Sequence, residues 1–373
     1  MDRYLARELV MPFLFGVAAF SSIGVAVGTL FELVRQVVEA GLPIPLALQV
    51  LLLRMPYFIV LSFPMATLLA TLMAYGRLSN DSELVALRSC GVSVYRLVMP
   101  AIALSFMVTG MTFVFNEWLV PAANYQATTV LEQALGTDSQ PAFRDENIFY
   151  REYGDVKLPG GGKKNTMTRM FYAERFDGEL MKELTVVDRS QYGVKQVIVA
   201  KSARWEPTTS QWEFFDGTIY LVSEDGSYRN ILRFDQQTVQ LPRTALDLAV
   251  RGRYKTEEMN IVQAQEQLAL IRESGDRSSI NKLELRIQQK LALPFVCVAF
   301  GIIGSALGNR KHQRVSRATS FGISVVLIFA YYLFAFVMDA LGLTEVVAPV
   351  IATWTPILAF TGIGIFLLTR ASR

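Results

Sequence analysis

The chain has 373 residues, with 36 Lys and Arg against 33 Asp and Glu and a net charge of +3. It is 52% hydrophobic and only 18% charged, with a mean hydropathy of +0.32, which excludes a disordered chain and an ordinary soluble enzyme. Yet 69 charged residues are too many for lipid, and 48 of them fall between residues 117 and 290, so a membrane protein with a large water-facing insertion is predicted.

The first uncharged run is 9–31, preceded by Arg3 and Arg7. It is too long for the core of a cleavable leader and no small-residue cleavage site follows, so it is read as a retained span. A second run covers 55–76. After it comes YGRLSNDSELVALRSCGVSVYRLVMP, residues 75–100. Asn80 followed by Glu83 fits a capping box, Leu84 and Leu87 make a short apolar face, and Gly91 can close the helix in a left-handed conformation. The prediction is a two- to three-turn helix at about 79–90, held tightly between two spans. Glu83 is then either a capping partner or a docking knob for a protein on that side of the membrane. A rigid element between spans can convert a partner's movement into movement of helices.

A third run covers 97–116. Beyond it, residues 143–241 read as strands and turns. The pieces NIFYREY, TRMFYAERF, KELTVVD, KQVIVAKSARW, QWEFFDGTIYLVS and YRNILRFDQQTVQL mix aromatic and β-branched residues with polar ones. Turn signals lie at 159–165, 177, 207, 216 and 224. Six short strands at this spacing predict an antiparallel sandwich or barrel.

Residues 256–290 change to helical spacing, with Thr256 as a candidate N-cap, a break at SGDRSS, and a second helix from INKLELRIQQK. Lys282, Arg286 and Lys290 recur at i, i+4 and i+8 and form one basic stripe running into the next span. The stripe suits either interfacial anchoring or contact with an anionic lipid headgroup. Three more uncharged runs follow, at 291–309, 318–338 and 346–369. Each of the six runs is long enough to cross a bilayer core about 30 Å thick. The short flanks at Arg77, Arg88, Arg96, Arg310, Lys311, Arg314, Arg317, Arg370 and Arg373 fall on one side with the N-terminus. The positive-inside rule makes that side cytoplasmic and the insertion extracytoplasmic.

The only cysteines are Cys90 and Cys297, and the only histidine is His312, in a basic run. No disulfide framework, His-based metal site or Ser-His-Asp triad is predicted. PGGGKK lacks the spacing of a nucleotide-binding loop, and the six runs contain no Asp or Glu to relay protons. The sequence therefore shows neither a catalytic centre nor an energy source, and no cofactor is expected.

Several segments in order carry a family resemblance: RYLARELVMPFLFG at the N-terminus, GRLSNDSELVALRSCGVSVYRLVMP at 76–100, NEWLVPAAN at 116–124, the W-x-F-x-D-G-T-I-Y stretch at 212–220, KLALPFVCVAFGIIGSALG at 290–308 and APVIATWTP at 348–356. Together they resemble the lipopolysaccharide-export permeases, the LptF/LptG (YjgP/YjgQ) family. The resemblance implies an α-helical membrane protein with an inserted all-β domain, six transmembrane helices (3+3) flanking an extracytoplasmic β-jellyroll. It implies residues 1–125 as helices one to three, 126–255 as a periplasmic jellyroll, and 256–373 as connecting helices and helices four to six. It further implies the membrane half of an ABC transporter in the bacterial inner membrane, paired with a second permease subunit of the same family as a hetero- or homodimer. By the same resemblance, a cytoplasmic ATPase dimer of the LptB type is expected to dock on the helix at 79–90, with Glu83 in the ATPase groove and Arg77, Leu84, Leu87 and Arg88 around it. Lipopolysaccharide is expected to pass from the inner membrane to a periplasmic jellyroll bridge of the LptC/LptA type, the jellyrolls pairing through edge strands. Arg35, after span one, resembles a basic position near lipid phosphates, and Arg54 opens span two on the same side; both join Lys282, Arg286 and Lys290 as headgroup candidates, with interfacial snorkelling as the alternative. No nucleic acid is expected as a partner. The rivals are a non-transporting scaffold whose β domain binds a periplasmic protein, and a membrane-embedded lipid-modifying enzyme. The latter lacks a visible cluster of nucleophile or acid/base residues.

Overall fold

The computed structural model describes residues 2–134, 146–157, 163–176, 179–190, 194–206, 211–223, 228–239, 258–309 and 317–372. They form two compact units, residues 1–136 with 284–373, and residues 137–283.

In the first unit, six helices are long and apolar enough to span a membrane. Helix α1 covers Asp2–Glu39 and contains a π segment at Ala26–Leu30; α2 covers Ile44–Asn80. A short helix, α3, follows at Glu83–Ser89. Helix α4 starts at Val94, where the Ser93 hydroxyl accepts from the Arg96 amide, passes through a π segment at Phe115–Leu119 and continues as Val120–Ala134. Helix α5, Ile261–Ser274, belongs to the second unit; the remaining spans are α6, Arg277–Gly308, α7, Arg317–Leu343, and α8, Pro349–Ser372. The helices overrun the uncharged runs at several ends, because charge marks where lipid stops rather than where hydrogen bonding stops. Asp339 lies inside α7, one residue past the predicted end of that span.

The bundle is held by small residues and hydroxyls. Gly301, Gly304 and Gly308 on α6 face Ser105, Thr71 and Tyr75, so closely that a Cβ on Gly301 would lie 1.8 Å from Ser105 Oγ. Close approach of this kind replaces the hydrophobic drive that lipid removes. The buried hydroxyls of Thr67, Thr71 and Ser105 donate to carbonyls one turn back at 2.7–2.8 Å. Pro294 on α6 has no amide to offer the Lys290 carbonyl, and the Asn116 side chain donates to that oxygen at 3.4 Å instead. The Pro294 carbonyl itself accepts from Thr109 at 3.0 Å.

The second unit is a six-stranded antiparallel sheet in chain order, β1 to β6. Its strands are Glu146–Lys157, Lys163–Phe176, Leu180–Asp188, Val194–Glu206, Gln211–Ser223 and Tyr228–Val239. All six predicted strands are present, and the inserted all-β domain of the expected architecture is there. Alternate residues of the inner strands, Phe171 and Ala173, Leu184 and Val186, Ile198 and Ala200, Trp212 and Phe214, are buried together. One row crosses all six strands: Tyr150, Phe171, Val186, Ile198, Ile219 and Leu232. The predicted turn at 216 is not one. Asp216, at φ +48°, kinks β5 while Gly217 stays paired with Ala200 and Phe234. The turn read at 159–165 ends earlier, since Lys163 already opens β2; residues 159–162 and the turns read at 177, 207 and 224 lie outside the described residues.

The helix read from Thr256 instead begins at Ile261. Asn260 caps it in a full capping box with Gln263, and Gly275 ends it at φ +69°. Thr256 itself lies outside the described residues.

Candidate functional site

The predicted capping box at Asn80 and Glu83 does not form. Helix α2 runs on through Asn80, the chain reverses through Ser82 at φ +60°, and Glu83 is the first residue of α3, with no side-chain cap. Apolar contacts extend α2 further than the capping signal suggested: Leu78 is 1% exposed and packs with Leu5, Leu9, Leu84 and Leu97. The other end of α3 follows the prediction. Gly91 sits at φ +83°, its amide bonds the Arg88 carbonyl, and the Val92 amide bonds that of Leu87. Both bonds belong to one left-handed C-terminal cap. The helix is therefore two turns long and closed at its C-terminal end by this cap.

Its side chains divide sharply. Leu84, 2% exposed, is sunk among residues of α1, α2 and α4, and Leu87 packs against the same cluster. These leucines anchor α3 to the spans. Val85, 51% exposed, and Ser89 and Cys90 face outward. Val85 was not singled out by the sequence, because a lone valine beside a leucine pair carries no signal.

Glu83 is 35% exposed and lies in a cluster that joins three helices. Tyr4, in the first turn of α1, donates its hydroxyl proton to Glu83 Oε2 at 3.0 Å. Arg77, near the end of α2, donates from Nη2 to that same hydroxyl at 3.1 Å. The Arg77 guanidinium also meets Glu8 at 2.7 Å, Asp81 at 3.6 Å and Glu83 at 3.9 Å. Three carboxylates thus surround one cation. The sequence grouped Arg77 with Glu83; Tyr4 and Glu8 are 79 and 75 residues away from Glu83 and only the fold brings them in.

Arg88 lies apart from this cluster. Its Nη2 donates to Asn309 Oδ1 at 2.7 Å, while its Nε and the Asn309 amide nitrogen are buried with no hydrogen-bond partner among the described residues. Burial pushes the Arg88 guanidinium below the usual arginine range.

Among the headgroup candidates, Arg35, Arg54 and Arg286 each have a polar partner of their own. Arg35, 71% exposed, forms an i, i+4 pair with Glu39 at 3.5 Å. Arg54 lies within α2 rather than at its start, and pairs with Glu32 at 3.5 Å. Lys282, Arg286 and Lys290 share α6, with Lys282 and Arg286 exposed and Lys290 half-buried. Arg286 donates to Gln289 at 3.3 Å, and Gln289 bonds Asp339 on α7. Among the described residues no group of three or more His, Cys, Asp or Glu is placed to hold a metal.

The matching family model is that of the lipopolysaccharide export system permease LptF/LptG, and it covers residues 3–370. The chain belongs to this family. The permease is also 28% identical over 175 residues to the LptG export permease protein of Escherichia coli strain K12, which is 43% of this chain and 47% of that protein. It is 27% identical over 152 residues to the LptG protein of Haemophilus influenzae, covering 37% and 38% respectively. The chain thus spans about half, or less, of the length of these relatives. Tyr4, Arg77, Glu83 and the inserted sheet all fall inside the permease family match.

Proposed function

We propose that this permease is the membrane subunit of an ATP-driven exporter that takes lipopolysaccharide out of the inner membrane and passes it to a periplasmic bridge. In this reading the termini and α3 are cytoplasmic, the β domain is periplasmic, and the chain pairs with a second permease subunit. ATP is hydrolysed by a separate cytoplasmic subunit that docks at α3. The observation that carries the reading is Glu83: a part-exposed carboxylate, with Asp81 and Glu8 close by, at the head of a short helix whose leucines are locked into three spans. An excess of carboxylate over cation there suits a basic or Arg-bearing groove on the ATPase. Anchoring by Leu84 means that force on Glu83 moves helices rather than a loop.

At the opposite end, Arg35, Arg54 and the Lys282–Arg286–Lys290 stripe suit phosphates of the lipid headgroup, the Arg35 pair with Glu39 being solvent-exposed and exchangeable. The edge strand β6, with Ile231 and Leu232 exposed, suits pairing with a periplasmic jellyroll. The test is Glu83→Ala in the full complex. Loss of ATPase retention and of export, with insertion unchanged, is the expected outcome. Normal retention and export remove Glu83 from coupling, and absence of any ATPase on the native chain favours the scaffold.

A further inference from the structure

Glu83 is the first residue of α3 and has no cap to fix it. A glutamate in that position samples several rotamers, and a partner that binds it must freeze them, at a cost in affinity. In this chain one hydroxyl has already made the choice. Tyr4 Oη accepts from Arg77 Nη2 at 3.1 Å and lies 3.0 Å from Glu83 Oε2 and 3.3 Å from Oε1. Guanidinium nitrogens only donate and a carboxylate only accepts, so the single hydroxyl proton can go only to Glu83. The relay therefore has one direction: Arg77 to Tyr4 to Glu83. Arg77 is itself set by its 2.7 Å bond to Glu8, one turn further along α1 than Tyr4. Resting on the docking role proposed for Glu83, we infer that Tyr4 is its positioning residue: the hydroxyl pre-sets the carboxylate for the ATPase and ties the dock to the first turn of span one.

Two properties follow from this geometry. Glu83 keeps lone pairs free for an incoming cation, because a carboxylate has about four acceptor sites and Tyr4 uses one or two. The link also runs to α1 by a polar contact, separate from the apolar contact of Leu84 with Leu5 and Leu9. A displaced dock thus pulls on the N-terminus of span one directly.

The experiment is a double-mutant cycle on the full-length permease complex, with Tyr4→Phe, Glu83→Ala and both together; Glu83→Gln alone, which keeps an acceptor for Tyr4 but loses the charge, tests the docking role. Tyr4→Phe keeps the ring and removes only the bridging oxygen. The measurement is the affinity of the ATPase subunit of the same complex for each purified permease. Tyr4→Phe is expected to weaken retention about three- to tenfold with native Glu83, as befits one charge-assisted hydrogen bond. With Glu83→Ala, which leaves the hydroxyl no acceptor at that position, it is expected to add nothing. Arg77→Lys, which keeps the charge but loses the forked donor, is expected to produce an intermediate loss. Unchanged retention in Tyr4→Phe, or an equal loss in both Glu83 backgrounds, overturns the inference while the docking reading stands. Retention that Glu83→Gln itself leaves untouched overturns the docking reading, and the role of Tyr4 with it.

Discussion

A single methyl group added at Gly301 would lie 1.8 Å from Ser105 Oγ and 2.9 Å from its Cβ, with Thr67 also in contact. Gly301→Ala is therefore expected to cost about 1–3 kcal/mol of stability by overpacking, read as a lower unfolding midpoint in detergent. Ser105→Ala in the same chain should recover part of the loss by removing the nearest atom. A loss that Ser105→Ala leaves unchanged would place the strain elsewhere. At this scale the sequence was readable where the signal was local. Gly91 showed its left-handed turn through its place after a leucine-bearing segment, and Glu83 stood out in a short polar loop between spans. Tyr4 gave no such sign, because its role depends on a hydrogen bond that crosses 79 residues. Asn80 misled, because the capping rule competes with apolar burial at Leu78, and burial wins.

Among elements, all six strands were legible, though β1 and β2 run several residues beyond their predicted ends. In β3 and β5 the buried face shared with the core is offset at Glu183 and Asp216, both at positive φ, which period-2 alternation does not reveal. Polar pairing is a second feature of the sheet and was not legible. Arg169 on β2 bonds Asp188 on β3 at 2.8 Å and reaches Glu152 on β1 at 3.5 Å. Burial raises the Asp188 carboxyl, but the Ser190 hydrogen bonds and Arg169 outweigh it and hold it below its ordinary 3.8. A depressed carboxyl contributes stability above its unfolded value, and that contribution is lost as pH falls through the folded one. Asp188→Asn is thus expected to destabilise the β domain by about 1–3 kcal/mol at neutral pH. The gap to the native chain should close below pH 3.8. Near-ultraviolet circular dichroism of the Trp205–Trp212 pair, whose rings lie 5.6 Å apart, reports it. A gap that persists at low pH would show that lost packing, not charge, causes the effect.

For the whole molecule, the arrangement of three spans, an inserted sheet and three spans was legible from charge placement alone, since lipid excludes charge and water does not. How the charges group was not. Five headgroup candidates looked alike in sequence, but Arg54 is 26% exposed beside Glu32, and Arg286 is coupled through Gln289 to Asp339. Arg35, 71% exposed, is far more open than Arg54. If lipopolysaccharide phosphates bind there, Arg35→Glu should reduce photo-crosslinking of the lipid to the permease several-fold, with membrane insertion intact. Equal crosslinking returns Arg35 to anchoring.

The π segment at Ala26–Leu30 bears on that residue through helical phase. In α1 the inward side before the segment carries Leu9, Phe13, Gly16 and Ser21, with Gly24 and Gly28 against Phe58. Continued at 3.6 residues per turn, that side would next present Phe31 and Arg35 to the bundle interior. The wide turn inserts one residue and shifts the wheel by about 100°. Thr29 and Leu33 are buried instead, and Phe31 is 74% exposed. One slipped hydrogen-bond register thus keeps a guanidinium out of the apolar interior and turns it toward the surface, where an anionic lipid can reach it.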